Sequence, residues 1–269
     1  MSSTIAIMGC GWLGLPLAEA LLKNGWTIHG STTSEDKIQS LLNAGITPFL
    51  LQLSPDHIKG NIGQFLQGSE VLVINVPPRL RAEDSESYFD KMKVLHSEIK
   101  KSGVRKIIFV SSTSVYGDQS GVLDEKSKAR PNTESGRHLL ASEQLFIQDP
   151  GLHTTVVRFG GLIGGDRHPV SHLSGKTELR NGEHPVNLIH RTDAISLVQI
   201  IIEKEYWNAI VNGVAPEHPE KQDYYRSEAL KRGLTPPDYQ QSTGANPGKL
   251  VECKYFPYKR SVFLTSIFS

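Results

Sequence analysis

The sequence is poor in the features that mark chains outside the ordinary run of soluble proteins. Cysteine is scarce: Cys10 and Cys253 are the only two in 269 residues. Their wide separation excludes a disulfide framework and a cysteine metal cluster, and fits a reducing cytoplasm. An excess of charge of either sign is also missing. Lys and Arg total 29 against 28 Asp and Glu, which leaves no electrostatic footprint for nucleic acid or an anionic membrane. No apolar run reaches the roughly 18 residues of a membrane span. The opening MSSTIAIMGCG has no basic segment followed by a long apolar one, so neither a spanning helix nor a secretory leader is expected. Internal repeats and low-complexity tracts are absent, which argues against a solenoid or a tail. What remains is a soluble, cytoplasmic chain whose partner is a small molecule. One large domain of this size buries about three quarters of its unfolded surface and needs no staple.

The stretch that organises the chain is residues 5–14, IAIMGCGWLG. An apolar strand runs into Gly9, Gly11 and Gly14, with Trp12 and Leu13 between the last two, and a helical pattern begins at once. In such a junction the first glycine permits the tight turn and the second lets backbone approach a pyrophosphate. The third lets the new helix lie against the sheet, and the helix N-terminus offers N–H groups to the anion. The alternative reading is a strand-to-helix turn that binds nothing. Cys10 reads as a small apolar filler.

A second strand over 26–29 leads into Ser31, Thr32 and Thr33. NAD-preferring sites place an Asp or Glu here for the ribose 2′-hydroxyl, and none occurs. Glu35 and Asp36 arrive later, with Thr33 and Asp36 at capping-box spacing. The hydroxyl cluster, with Lys37 as the nearest cation, suits a 2′-phosphate. The expected cofactor is therefore NAD(P), with NADP favoured over NAD.

Strands and helices alternate from there. A third strand at 48–53, a short helix at 61–67 and a buried strand at 71–75 are followed by Asn75, Val76 and Pro77. A helix at 88–101 precedes a strand at 106–110 that delivers Ser111, Ser112 and Thr113. Residues 118–134 read as a surface loop. A helix at 135–148 and a strand at 154–158 lead to Gly160. This order predicts an α/β fold with a doubly wound parallel sheet, the Rossmann fold. The core spans 1–165 and is completed by 187–212, while 166–186 and 213–269 form a smaller substrate or lid portion. Strand ends face the ligand in this topology, so Asn75, Val76, Pro77, Ser111 and Gly160 are expected to border the cofactor. Arg158 and Arg167 are positioned either to grip a substrate anion or to pair structurally, as arginine commonly does. His168 and His172 are four apart, but Pro169 between them argues against one helical face, and no metal site is expected.

These residues resemble a known family. The GCGWLG turn, the SSTSVYG segment at 111–117, Arg158 followed by Gly164, and Asn187-Leu-Ile-His190 before Asp193 look like the extended short-chain dehydrogenase/reductases, the NAD-dependent epimerase/dehydratase family. Within it, GWLG, SSTSVYGD, Ser135-Gly-Arg137 and Asp166-Arg-His-Pro169 are similar to the bacterial YeeZ-type proteins. The resemblance implies a catalytic role for Ser112 and substrate contacts from Thr113, Arg158, Arg167, His168 and Asn187. It also implies a Tyr-x-x-x-Lys acid/base pair, yet alignment puts Ser135 on the tyrosine and Leu139 on the lysine. Two functions stay open. One is an NAD(P)-dependent epimerase, dehydratase or reductase acting on a nucleotide-sugar or other polar keto/hydroxy substrate, with acid/base groups outside the usual pair. The other is a catalytically silent dinucleotide-binding or redox-sensing protein. A homodimer is compatible with either. The stretch 255–269, YFPYKRSVFLTSIFS, departs from the family's C-terminal helix and reads as a partner-facing strand, a swapped arm or an altered chain end.

Overall fold

The computed structural model describes residues 3–78, 86–241, 244, 246–256 and 262–268. The chain runs β1 (Thr4–Met8), α1 (Gly14–Lys23), β2 (Thr27–Thr32), α2 (Ile38–Asn43), β3 (Thr47–Leu50), β4 (Gln52–Leu53), β5 (Ile58–Lys59), α3 (Ile62–Leu66) and β6 (Ser69–Ile74). It continues through α4 (Tyr88–Lys101), β7 (Lys106–Ser112), β8 (Gly121–Leu123), α5 (Glu134–Ile147), β9 (His153–Phe159) and β10 (Gly161–Ile163). The remaining elements are α6 (Val170–Leu173), β11 (Leu188–His190), α7 (Arg191–Glu203), β12 (Ile210–Gly213), α8 (Lys221–Lys231) and β13 (Lys249–Val251). Seven strands form one parallel sheet in the order β12-β9-β7-β6-β1-β2-β3. From β1 the chain winds outward to β3, then crosses to β6 and winds the other way. This reversal at β1 and β6 is the position where open α/β sheets bind ligands.

Continuous apolar runs become strands buried on both faces because alternate side chains point to opposite sides. Ile5, Ile7, Val71 and Val73 join the core under α1 and α7, with Leu17, Leu21, Leu197 and Ile201. Ala6, Met8, Leu72 and Ile74 join the opposite core, with Phe65, Met92, Leu95, Ile99 and Phe146 from α3, α4 and α5. A third, smaller cluster gathers Ile163, Val170, Val186, Leu188, Tyr224, Tyr225 and Ile267.

Several local expectations change. The third strand ends at Leu50, because residues 52–53 turn back to pair antiparallel with 58–59. Ser34, not Thr33, precedes the turn at Glu35–Lys37, and no side chain caps it. The stretch at 118–134 is not wholly loop, since β8 pairs in parallel with β13. Strand β11 pairs with β10 in its own two-stranded sheet and does not extend the central one.

The terminal stretch also packs on its own chain where it is described; residues 257–261 and 269 lie outside the described residues. Phe256, Val262 and Phe263 enter the first core. Thr265 donates through its amide and hydroxyl to the buried Asp193 carboxylate, at 2.8–3.2 Å. Burying an anion requires such donors.

Candidate functional site

A cleft of about 1060 Å³ lies along the carboxyl ends of the central strands. Its floor at one end is the glycine turn, where each glycine meets a different constraint. Gly9 has φ +101°, and a side chain there would come within 2.5 Å of the Asn75 carbonyl oxygen. At Gly14 an added Cβ would sit 2.1 Å from the Gly9 carbonyl oxygen, so the absence of a side chain lets α1 start directly against the turn. Gly11 has no atom within 4 Å of such a Cβ. The space beside it is the cleft, so backbone is presented there for a ligand to approach.

The turn is held from two sides. Ser31 Oγ accepts from the Gly9 amide at 2.9 Å, and Asn75 Nδ2 donates to the Gly9 carbonyl at 3.0 Å. Helix α1 begins with Leu13 at its N-cap, which makes no side-chain capping bond, and no acidic residue lies in the first turn. Such an end favours an anion. Cys10 is buried against Gly30, and burial pushes its thiol up to about 12. It is an apolar filler and not a nucleophile.

Gly9, Gly11, Trp12, Leu13, Ser31, Thr32, Thr33, Asn75, Val76, Pro77, Ser111 and Gly160 all line the cleft. Gly14 stands behind the turn and acts through packing. No acidic side chain accompanies the three hydroxyl residues at the end of β2; Lys37 does. The glycine cradle and the uncapped helix start together fit the pyrophosphate of a dinucleotide.

The other end is built by the exit of β7. Ser112, Thr113 and Ser114 line it with Leu139 and Lys249, while Arg167 lines the cleft beside Trp12, its guanidinium carbon 5.1 Å from the ring centroid. Ser112 Oγ accepts from the Ser114 amide at 3.1 Å. Leu139 faces the cleft from α5, whereas Ser135, one turn earlier, does not line it.

Three expected substrate residues lie elsewhere. Arg158 is 3% exposed and its guanidinium is engaged by Glu143, with Nη2 donating to Oε2 at 2.6 Å and Nε to Oε1 at 3.1 Å. Ser111 Oγ donates to the same carboxylate at 2.5 Å. A buried charge needs this compensation, so Arg158 braces β9 against α5. His168 belongs to the third cluster. Its Nδ1 accepts from the Val170 amide at 3.2 Å. Tyr224 donates its hydroxyl proton to the Ile267 carbonyl at 2.7 Å, so His168 Nε2–H donates to the Tyr224 oxygen at 3.0 Å. Acceptance at Nδ1 requires the neutral ring, and burial, then Arg232 nearby, lowers its pKa to about 4 against the opposing pull of Glu228.

Asn187 is the third. Its Nδ2 donates to the Lys249 carbonyl at 2.9 Å, and its Oδ1 accepts from the Val251 amide at 2.7 Å. It thereby clips β13 in place. Lys249, which sequence reasoning missed, is what β13 delivers to the cleft. Its Nζ donates to the carbonyls of Thr113 and Gly117 at 3.1 and 2.7 Å, leaving one of three N–H donors. Burial, and then the like charge of Lys221, lowers its pKa against the pull of Asp118. No local signal marks Lys249, because a three-residue strand after Gly248 is recognisable only through its pairing with β8.

Among the described residues no group of three His, Cys, Asp or Glu side chains is arranged to hold a metal ion. Among the described residues no helix is long and apolar enough to cross a membrane.

Comparison with known proteins agrees with this geometry. An NAD(P)H-binding family model matches residues 9–193. The Escherichia coli K12 protein YeeZ is 35% identical over 249 residues, covering 92% of this chain and 90% of that protein. Among solved structures, UDP-glucuronic acid 4-epimerase from Bacillus cereus in complex with NAD superposes with a TM-score of 0.79 at 18% identity, over 98% of this chain and 91% of that one. A functionally unknown conserved protein from Silicibacter pomeroyi superposes with a TM-score of 0.75 at 22% identity, covering 99% of this chain and 94% of that one. The chain belongs to the NAD(P)H-binding family, as a homologue of YeeZ built on the Rossmann fold of the NAD-dependent epimerases and dehydratases.

Proposed function

We propose that the chain is an NAD(P)-dependent enzyme of the epimerase, dehydratase or reductase type, acting on a nucleotide-sugar or another polar keto/hydroxy substrate and preferring NADP. The observation that carries this reading is one continuous cleft. It has a glycine cradle at one end and Ser112, Thr113 and Lys249 at the other. Gly9, Gly11, Trp12 and Leu13 would hold the pyrophosphate, Ser31, Thr32 and Thr33 the adenosine ribose, and Asn75, Val76, Pro77, Ser111 and Gly160 the remaining wall. When bound, the nicotinamide supplies a hydride donor or acceptor.

The chain's own chemistry lies at the second end. Ser112 is the donor to a substrate oxygen there, Thr113 and Arg167 contact the substrate, and Lys249 contributes the positive charge that Leu139 does not. An ammonium with one uncommitted N–H and a lowered pKa suits hydrogen bonding to an oxygen that gains negative charge. Segments 166–186 and 213–269 form the substrate portion, since they contribute Arg167 and Lys249. The UDP-glucuronic acid 4-epimerase of similar fold is named for a nucleotide sugar, and a substrate of that length matches a long cleft.

The test is a purified chain loaded with NADP or NAD and incubated with a panel of UDP- and dTDP-sugars and small hydroxy and keto acids. Nicotinamide absorbance and chromatography would follow the products. Conversion of any member supports the reading. Tight dinucleotide binding with no conversion across the panel would favour the silent binding protein.

A further inference from the structure

A second depression, of about 300 Å³, opens on the outer side of the glycine turn. Gly11 and Trp12 form one wall, Leu15, Pro16 and Leu41 give it an apolar floor, and Lys37, Ser40 and Arg191 stand at its polar side. Arg191 is the first residue of α7, far along the chain, and reaches the turn because α7 packs beside α1 in the first core. Its guanidinium carbon lies 4.7 Å from the centroid of the Trp12 ring. On another side, a Cβ added to Gly165 would come within 3.3 Å of Arg191 Nη2. The guanidinium is therefore fixed between an aromatic ring and a backbone bare of side chain. A second arginine, Arg167, stacks on the same Trp12 at 5.1 Å.

Neither Arg191 nor Lys37 makes an ion pair with a carboxylate among the described residues. Asp166 accepts from the Trp12 indole N–H at 3.4 Å and does not line the depression. Glu35 and Asp36, although adjacent to Lys37 in sequence, do not line the depression. Lys37 also lines the main cleft, alongside Ser31, Thr32 and Thr33. The depression and the ribose end of the cleft are thus continuous through Lys37, Gly11 and Trp12. Two cations without a carboxylate ion pair and a hydroxyl-rich strand end converge where this fold distinguishes the two dinucleotides, while the Ser40 hydroxyl donates to the Lys37 carbonyl at 2.8 Å and holds that turn.

We propose that Arg191 and Lys37 form a clamp for the 2′-phosphate of NADP. Arg191 is the specificity-determining residue. A phosphate monoester matches the planar donor fork of a held arginine and the point charge of a lysine. A bare 2′-hydroxyl would leave both cations without a counter-charge. The Trp12 stack pre-orients the guanidinium, which limits the rotamer freedom lost on binding. The inference rests on the dinucleotide reading above and adds the residues that choose between its two forms.

The experiment is calorimetric titration of the full chain, and of Arg191→Ala, Arg191→Lys and Lys37→Ala, with NADP, NAD, 2′,5′-ADP and 5′-ADP. The expected result is NADP at least tenfold tighter than NAD and 2′,5′-ADP tighter than 5′-ADP. Arg191→Ala should remove most of that ratio and Lys37→Ala part of it, with NAD affinity changed less than twofold. Arg191→Lys should restore only part, because the fork is lost. Thermal unfolding of each variant checks that the fold is kept. Equal affinities for NADP and NAD in the unaltered chain would overturn this inference and leave dinucleotide binding standing. A preference for NADP that survives both alanine variants would overturn the assignment to these residues, as would parallel loss of NADP and NAD affinity in Arg191→Ala. Failure of every ligand to bind would overturn the dinucleotide reading itself.

Discussion

Replacing Gly11 by Val separates binding from folding. A Cβ at this position meets nothing within 4 Å, and Gly11 is not among the positive-φ glycines, so the branched side chain costs the empty protein little. It would project into the space where the backbone must approach a pyrophosphate. Dinucleotide affinity should fall at least tenfold, about 1.4 kcal/mol, while the ligand-free unfolding midpoint moves little. Gly14→Ala is the matched control. Its Cβ would lie 2.1 Å from the Gly9 carbonyl oxygen, so turn and helix must part by roughly 1 Å, an overpacking cost of about 1–3 kcal/mol. That lowers the midpoint by about 2–4 °C for each kcal/mol in a chain of this size. Calorimetric titration and thermal unfolding of both variants would read the two effects. Unchanged affinity in a folded Gly11→Val protein would remove the glycine turn from the site. A strongly destabilised Gly11→Val would refute the claim that its side-chain space is empty.

Glu143→Gln leaves Arg158 buried without its counter-charge, which should cost about 3–5 kcal/mol in denaturant unfolding, while Arg158→Met in the same background should recover part of the loss. His168 binds its proton more readily in the unfolded chain, where its pKa is near 6.5, than in the fold, where it is about 4. Its contribution is complete above about pH 6.5 and lost as the pH falls toward 4, on the order of 1–3 kcal/mol; His168→Gln should flatten that part of a stability–pH profile. At the substrate end, Lys249→Met should lower turnover at least tenfold on any substrate the panel yields, with dinucleotide affinity within twofold of the parent. Ser112→Ala should reduce the same turnover and Ser135→Ala should not; a large loss for Ser135→Ala with cofactor binding intact would make that serine catalytic.

The glycine turn was legible in sequence because its constraints are local: a strand, three glycines at fixed offsets and a helix, all within ten residues of one another. The alternating burial of Ile5, Ala6, Ile7 and Met8 follows from the same kind of rule, since a run apolar at every position fits only a strand covered on both faces. The row Ser111, Ser112, Thr113 could be placed at the ligand edge because strand ends in a parallel sheet share one side. What the sequence left open depends on long-range meetings. Arg158 looked like an anion grip until α5 brought Glu143 against it. Asn187 looked like a substrate contact, but the pairing of β8 with β13, distant in sequence, made it a clip for the strand that carries Lys249. Arg191 gave no local sign of a role, because only the packing of α7 beside α1 brings it onto Trp12. Periodicity and turn chemistry report on neighbours in sequence. The partner of a buried charge is decided by which elements the folded chain places side by side.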